Sequence, residues 1–192
     1  MEDAKPEPLA PSAPAPSAST SAARDVPRYV ITDLSAIAAD PDRFHDFSYR
    51  ARLAAMVAAV LDAEAPIRDD LLAQRIARAH GWQRTGARIR ERIDLHLKTV
   101  DRTVESSGTF LWRPGSVVEI LPFRQPASLE ARRNIPEIPL AELAALVVAN
   151  PELIDEPDPS LELSRLIGVE RLAAPSRLRL DEAFERAAAH LG

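Results

Sequence analysis

With 192 residues, 46% of them apolar, the chain can fold one ordinary domain or two small ones around a real core. It holds no cysteine, which excludes a disulfide framework, a thiolate zinc site and a cysteine nucleophile together. The net charge of −5 is uneven: residues 1–48 carry −4, 49–124 carry +4, 125–133 carry +1 and 134–192 carry −6, so nucleic acid, if bound, belongs on the middle segment.

Residues 1–26 are Pro/Ala/Ser-rich with almost nothing to bury and read as a disordered tail. Met1 to Ala23 lacks the apolar stretch of a secretory signal, and no run elsewhere approaches the ~20 residues of a membrane span. A bacterial-type cytoplasm is therefore expected, with no membrane partner. Residues 27–48 contain Tyr29, Leu34, Phe44 and Phe47 among other apolar anchors, which predicts a packed strap with one short helix.

The middle segment, 49–124, carries the clearest pattern. Ser48 is positioned to cap a helix through Leu61, with Leu53, Met56, Val57, Val60 and Leu61 on one face. Ala65-Pro66 breaks the chain. A second helix runs to about His80, with Asp69 and Asp70 in its first turn and Gly81 as its stop. Thr85 can cap a third, reaching about Val100, in which Ile89, Ile93, Leu97 and Val100 form one stripe and Arg84, Arg88 and Arg92 the opposite side. Arg102–Glu105, a turn at Ser106-Ser107-Gly108, and Thr109–Trp112 read as a β-hairpin with Val104, Phe110 and Trp112 as apolar members. Three helices and a hairpin is the order of a winged helix.

Residues 125–138 read as a linker. Residues 139–192 are expected to form helices at about Leu140–Ala149, Leu161–Ile167 and Pro175–Leu191, the last with Leu180, Phe184, Ala187 and Leu191 inward. Gly81-Trp82-Gln83-Arg84 is answered by Gly168-Val169-Glu170-Arg171, so this part is either a degenerate second winged helix or an unrelated alanine-rich helical unit. The fold class is mainly α with a small β-hairpin.

The candidate functional feature is the third helix with its hairpin. A helix of this kind enters the major groove, and a wing reaches the flanking backbone. Arg84, Arg88, Arg90 and Arg92 supply cations, Ser107 and Gly108 form the wing, and Gly86 near the helix N-terminus would permit close approach to a phosphate. The competing reading is a solvated or protein-facing helix, with Glu91, Asp94 and Asp101 pairing the arginines. Lysine is confined to Lys5 and Lys98, so each arginine is also open to a plain reading as a surface lysine replaced. Trp82 and Trp112 suit core plugs better than base stacking. His45, His80, His96 and His190 have no metal-ligand spacing, and the acidic stretch Glu152 to Asp158 suits an exposed connector. No Walker sequence, G-x-G-x-x-G or G-x-S-x-G is present. Neither catalysis nor a cofactor is expected.

The series in order is Tyr49-Arg50, Glu64-Ala65-Pro66-Ile67, Arg75 to Gly81, Arg84-Thr85-Gly86, Arg88-Ile89-Arg90, Phe110-Leu111-Trp112 and Ile138 to Leu143. It resembles an uncharacterised bacterial domain, the domain of unknown function 3320, that closes large superfamily-1 helicase proteins behind a restriction-like (Vsr-type) nuclease module. The resemblance covers roughly residues 28–192, with Ala65 where that family has glycine. It implies a part of a DNA-processing or phage-defence machine, as a free-standing copy, a split gene's end or a fragment, and it supplies no catalytic residues. The function expected is a non-catalytic, nucleic-acid-binding accessory module whose partners are DNA and a helicase or nuclease polypeptide. The alternatives are a protein-docking domain for that helicase or nuclease body, and a stand-alone winged-helix regulator, which would need a dimer to read paired half-sites.

Overall fold

The computed structural model describes residues 26–192, so the tail expected to be disordered lies, but for Val26, outside the described residues. The strap enters the fold through β1 (Arg28–Tyr29), and its only helical piece is a 3-10 turn at Phe47–Tyr49. That turn leads straight into α1 (Arg50–Glu64), which has no side-chain cap: the Ser48 hydroxyl instead meets Arg43 at 3.0 Å. The five apolar residues expected on the inner face of α1 are all buried, and they form the centre of a first core with Phe44, Tyr49, Leu72 and Ile76.

A cis Ala65-Pro66 bond joins α1 to β2 (Ile67–Arg68), a short strand without a local sequence signal. Next come α2 (Asp69–Ala79), α3 (Ala87–Asp94), β3 (Arg102–Glu105) and β4 (Gly108–Leu111). The strands make an antiparallel sheet of order β2-β4-β3, with Ile67 opposite Leu111 and Thr103 opposite Phe110. Gly81, at φ 79°, takes the left-handed turn that stops α2. The helix expected from Thr85 to Val100 is shorter. After Asp94 the chain tightens into turns with i to i−3 bonds (His96 to Ile93, Leu97 to Asp94), yet Leu97 stays buried.

Val104 departs from expectation, being 83% exposed while Phe110 and Trp112 are buried. Side chains alternate across a strand. Val104 lies on the face opposite Thr103 and Phe110; Leu111 on that same face is buried in the first core, but Val104 sits nearer the hairpin's tip, beyond it. Trp112 lies on the Phe110 face, its indole N–H donating to Thr103 Oγ1 at 3.0 Å.

Residues 125–138 are no loose linker. The strand β5 (Gln125–Pro126) pairs in parallel with β1, and Ala131, Ile135 and Ile138 are buried. Beyond them lie α4 (Leu140–Ala149), a 3-10 turn at Pro151–Asp155, α5 (Pro159–Ile167) and α6 (Ala174–Leu191). They enclose a second core that includes Leu143, Val147, Leu163, Leu180 and Ala187. Leu191, expected inside, is 65% exposed at the end of α6. Of the two readings of residues 139–192, a degenerate copy of the middle segment or an unrelated helical unit, the structure offers α4, α5 and α6, and among the described residues no strand follows β5. The chain is thus mainly α with a small antiparallel sheet. Among the described residues no helix is long and apolar enough to cross a membrane.

Two buried carboxylates hold the strap and the second core against the first. Glu64, at the end of α1, accepts from Tyr29 Oη (2.5 Å), the Thr32 amide (3.0 Å) and hydroxyl (2.8 Å), and Arg75 (3.2 Å). Burial, then the charge and hydrogen bond of Glu64, push the Tyr29 hydroxyl far above its ordinary pKa, so it remains a donor. Glu142, on α4, accepts from Arg124 at 2.7 Å and Arg133 at 2.7 Å. Arg124 also donates to the carbonyls of Glu64, Ala65 and Pro66, so one guanidinium spans both cores.

Candidate nucleic-acid interface

The placement of α3 begins with an aromatic plug. Trp82 stacks on His80 with ring centroids 5.0 Å apart and planes 13° from parallel, and Phe44 meets both rings edge-on. His80 Nδ1 lies 2.7 Å from the Ile76 carbonyl, which can only accept, so this nitrogen carries the proton. Nε2 lies 2.7 Å from Tyr49 Oη. The Tyr49 oxygen in turn accepts the Asp40 amide at 3.0 Å. The strap, the start of α1 and the α2–α3 turn are thereby locked together. Trp112 is buried and Trp82 packs against the first core, in keeping with core plugs.

The four arginines of α3 and its approach divide into two pairs. Arg84 and Arg88 are exposed and have no ion-pair partner among the described residues. Arg90 bridges Asp69 (2.6 Å) and Asp94 (2.7 Å), tying the first turn of α2 to the end of α3. Arg92 is half-buried and donates to the Asp46 carbonyl at 2.7 Å, so it braces α3 against the strap rather than extending beside Arg88. Gly86 precedes the helix at φ −70°, with open space where a Cβ would stand, so neither backbone nor packing requires glycine there. Glu91, exposed on the same helix, subtracts one charge from the face.

The turn of the β3–β4 hairpin is held elsewhere. Ser106 Oγ donates to Glu182 on α6 at 2.6 Å. Glu105 accepts from buried Arg179 at 2.5 Å and from the Leu140 amide at 3.0 Å. Arg179 also lies over the Phe110 ring, 5.4 Å from its centroid. Ser107 and Gly108 are half-buried in this junction, and the Arg68 side chain runs 3.6 Å from where a Gly108 Cβ would be. The structure therefore docks the hairpin turn on α6. Ser107 and Gly108 do not form the free wing expected beside Arg84 and Arg88.

Phe47, expected as a buried anchor of the strap, stands instead on the outside of the 3-10 turn beside α3. It is 83% exposed, and Arg50 opens α1 one turn later. His96 sits where burial, then the charges of Arg50 and Arg92, hold its pKa below the ordinary value. Phe44 and Tyr49, on either side of Phe47, fill the core, which leaves position 47 outward. In the acidic stretch, Leu153 is buried, and Asp158 is no bystander: it caps α5 and pairs with Arg177. No group of three His, Asp or Glu residues suited to a metal occurs among the described residues. What the surface offers chemically is a pair of free guanidinium forks, suited to bidentate contact with phosphate oxygens.

Residues 42–91 match a family model described as a protein of unknown function (DUF3320). The match runs from the strap through α1 and α2 into α3, a narrower stretch than the 28–192 that the motifs suggested. No curated protein and no solved structure matches the chain.

Proposed function

We propose that this chain is a non-catalytic nucleic-acid-binding module, of winged-helix type in its first unit, serving a helicase–nuclease system of DNA processing or phage defence. The order helix–strand–helix–helix–strand–strand, with the first strand beside the last, supports the winged-helix reading. The observation that carries nucleic-acid binding is the division among the arginines: Arg90 and Arg92 are spent on bracing α3, while Arg84 and Arg88 stand in water without an acidic partner. Two or three phosphate contacts by such a face give a log K against log salt slope of about −2 to −3.

The test is fluorescence anisotropy of the full chain with duplex and single-stranded DNA, from about 50 to about 300 mM salt. Salt-sensitive binding that Arg84→Glu/Arg88→Glu abolishes, with its helical circular dichroism unchanged, is the expected result. No binding at the lowest salt overturns the reading. A second reading, docking on a helicase or nuclease body, is favoured by the acidic C-terminal unit, which leaves Ile154, Leu166, Leu178 and Leu191 at least half exposed.

A further inference from the structure

Among the phenylalanine, tyrosine and tryptophan side chains of the described residues Phe47 alone stands largely in water, at 83% exposure. Its backbone is held in place. The turn that carries it is closed by Asp46 N–H to the Arg43 carbonyl (2.8 Å) and Tyr49 N–H to the Asp46 carbonyl (3.2 Å). The flanking Phe44 and Tyr49 are anchored in the first core, so the backbone on both sides is pinned. The Asp46 carbonyl also takes the Arg92 guanidinium from α3, which joins the turn to the basic helix.

Two arginines lie close to the turn that carries the ring. Arg50 is exposed three residues on, Arg92 is bonded to the preceding peptide, and both are near enough to His96 to disfavour its protonated form. The nearest acid in sequence, Asp46, is offset by Arg43 at 3.5 Å. An exposed ring on a pinned backbone, with free cations on the neighbouring elements, is how proteins hold unpaired bases: the ring takes a base face and the cations take the adjoining phosphates.

We propose that Phe47 is a stacking platform for an unpaired base, with Arg50 and the free arginines of α3 and its approach, Arg84 and Arg88, taking phosphates along the strand, so that the α3 face takes single-stranded or frayed DNA in preference to closed duplex. This rests on the nucleic-acid reading above and names its substrate class. The salt slope belongs to the arginines and the strand preference to the ring.

The experiment compares the full chain with Phe47→Ala, Phe47→Trp and Arg84→Glu/Arg88→Glu, on a single-stranded oligonucleotide and a closed hairpin duplex of equal length. Phe47→Ala is expected to weaken single-strand binding about 5- to 100-fold and leave duplex binding and the salt slope unchanged. Phe47→Trp should retain affinity and show quenching of its exposed indole by the stacked base. Binding that depends on Arg84 and Arg88 but is indifferent to Phe47→Ala, or weakened equally on both ligands, overturns the platform and leaves the module's nucleic-acid function standing. A parent chain that binds neither oligonucleotide overturns both. Because Phe47 is exposed, folding of the variants is not in question, and circular dichroism verifies it.

Discussion

Asp158 accepts the Leu161 amide at 3.1 Å as the N-cap of α5 and receives both Arg177 nitrogens, at 2.7 and 2.8 Å. The Arg177 hydrogen bonds, followed by the backbone bond, draw its pKa from 3.8 down to about 2. A carboxyl whose folded-state pKa lies below its unfolded value contributes stability that is present above the unfolded value. That contribution is lost as pH falls through the folded one, here between about pH 4 and pH 2. The prediction is that the Asp158 side-chain carbon titrates by NMR with a midpoint near 2, and that Arg177→Ala moves it up toward the ordinary value. A parent midpoint near 3.8 would mean that the pair does not persist in solution. Asp followed by proline at the first helical position is a local start signal. The cap was therefore legible in the sequence, whereas its partner, on another helix, was not.

At the scale of elements, the β3–β4 hairpin has exchanged one role for another. Its position along the chain suits a wing, but its turn is bonded to α6 through Ser106 and Glu182, and Glu105 neutralises an Arg179 that is only 2% exposed. Removing one member of a buried pair strands the other, at a cost of about 3–5 kcal/mol. Glu105→Ala should therefore lower unfolding free energy by about that amount in urea. Adding Arg179→Ala should cost less than the sum of the two single changes, because the partners share one interaction. Additive effects would show that the contact contributes little. The α3 stripe shows the opposite case. Ile93 and Leu97 are buried and Ile89 and Val100 packed as their spacing implied, even though the helix itself ends at Asp94, because tight turns of three to four residues preserve the same face.

Across the whole molecule, a segment of net +4 and one of net −6 are joined by buried charge. Burial pushes the Glu142 carboxyl up, but the hydrogen bonds and charges of Arg133 and Arg124 outweigh it, and its pKa lies below the ordinary value. Its pairing therefore contributes stability above that value and loses it as pH falls. With Arg124 reaching the end of α1 and β5 pairing with β1, the two cores should unfold together. Urea unfolding followed by tryptophan emission, which reports the first unit, and by helical circular dichroism, dominated by both, is expected to give coincident curves. Glu142→Ala, which leaves two arginines unpaired, should shift both curves by about 3–5 kcal/mol. Separated transitions in the parent would show that the units are independent.

The sequence by itself determined where the helices lie and most of their inner faces, the hairpin, the missing cysteine chemistry and the uneven charge. These follow from composition, from side-chain period and from signals a few residues long. Only the tertiary structure decided which arginines are free. Arg84, Arg88, Arg90 and Arg92 look alike along a helix, and Asp69 and Asp46 separate them from 21 and 46 residues away. The same holds for β2, which exists because β4 lies beside it, and for Phe47, left outside because Phe44 and Tyr49 fill the core on either side. Pairing and exposure depend on neighbours that chain folding brings together, and local pattern carries no record of them.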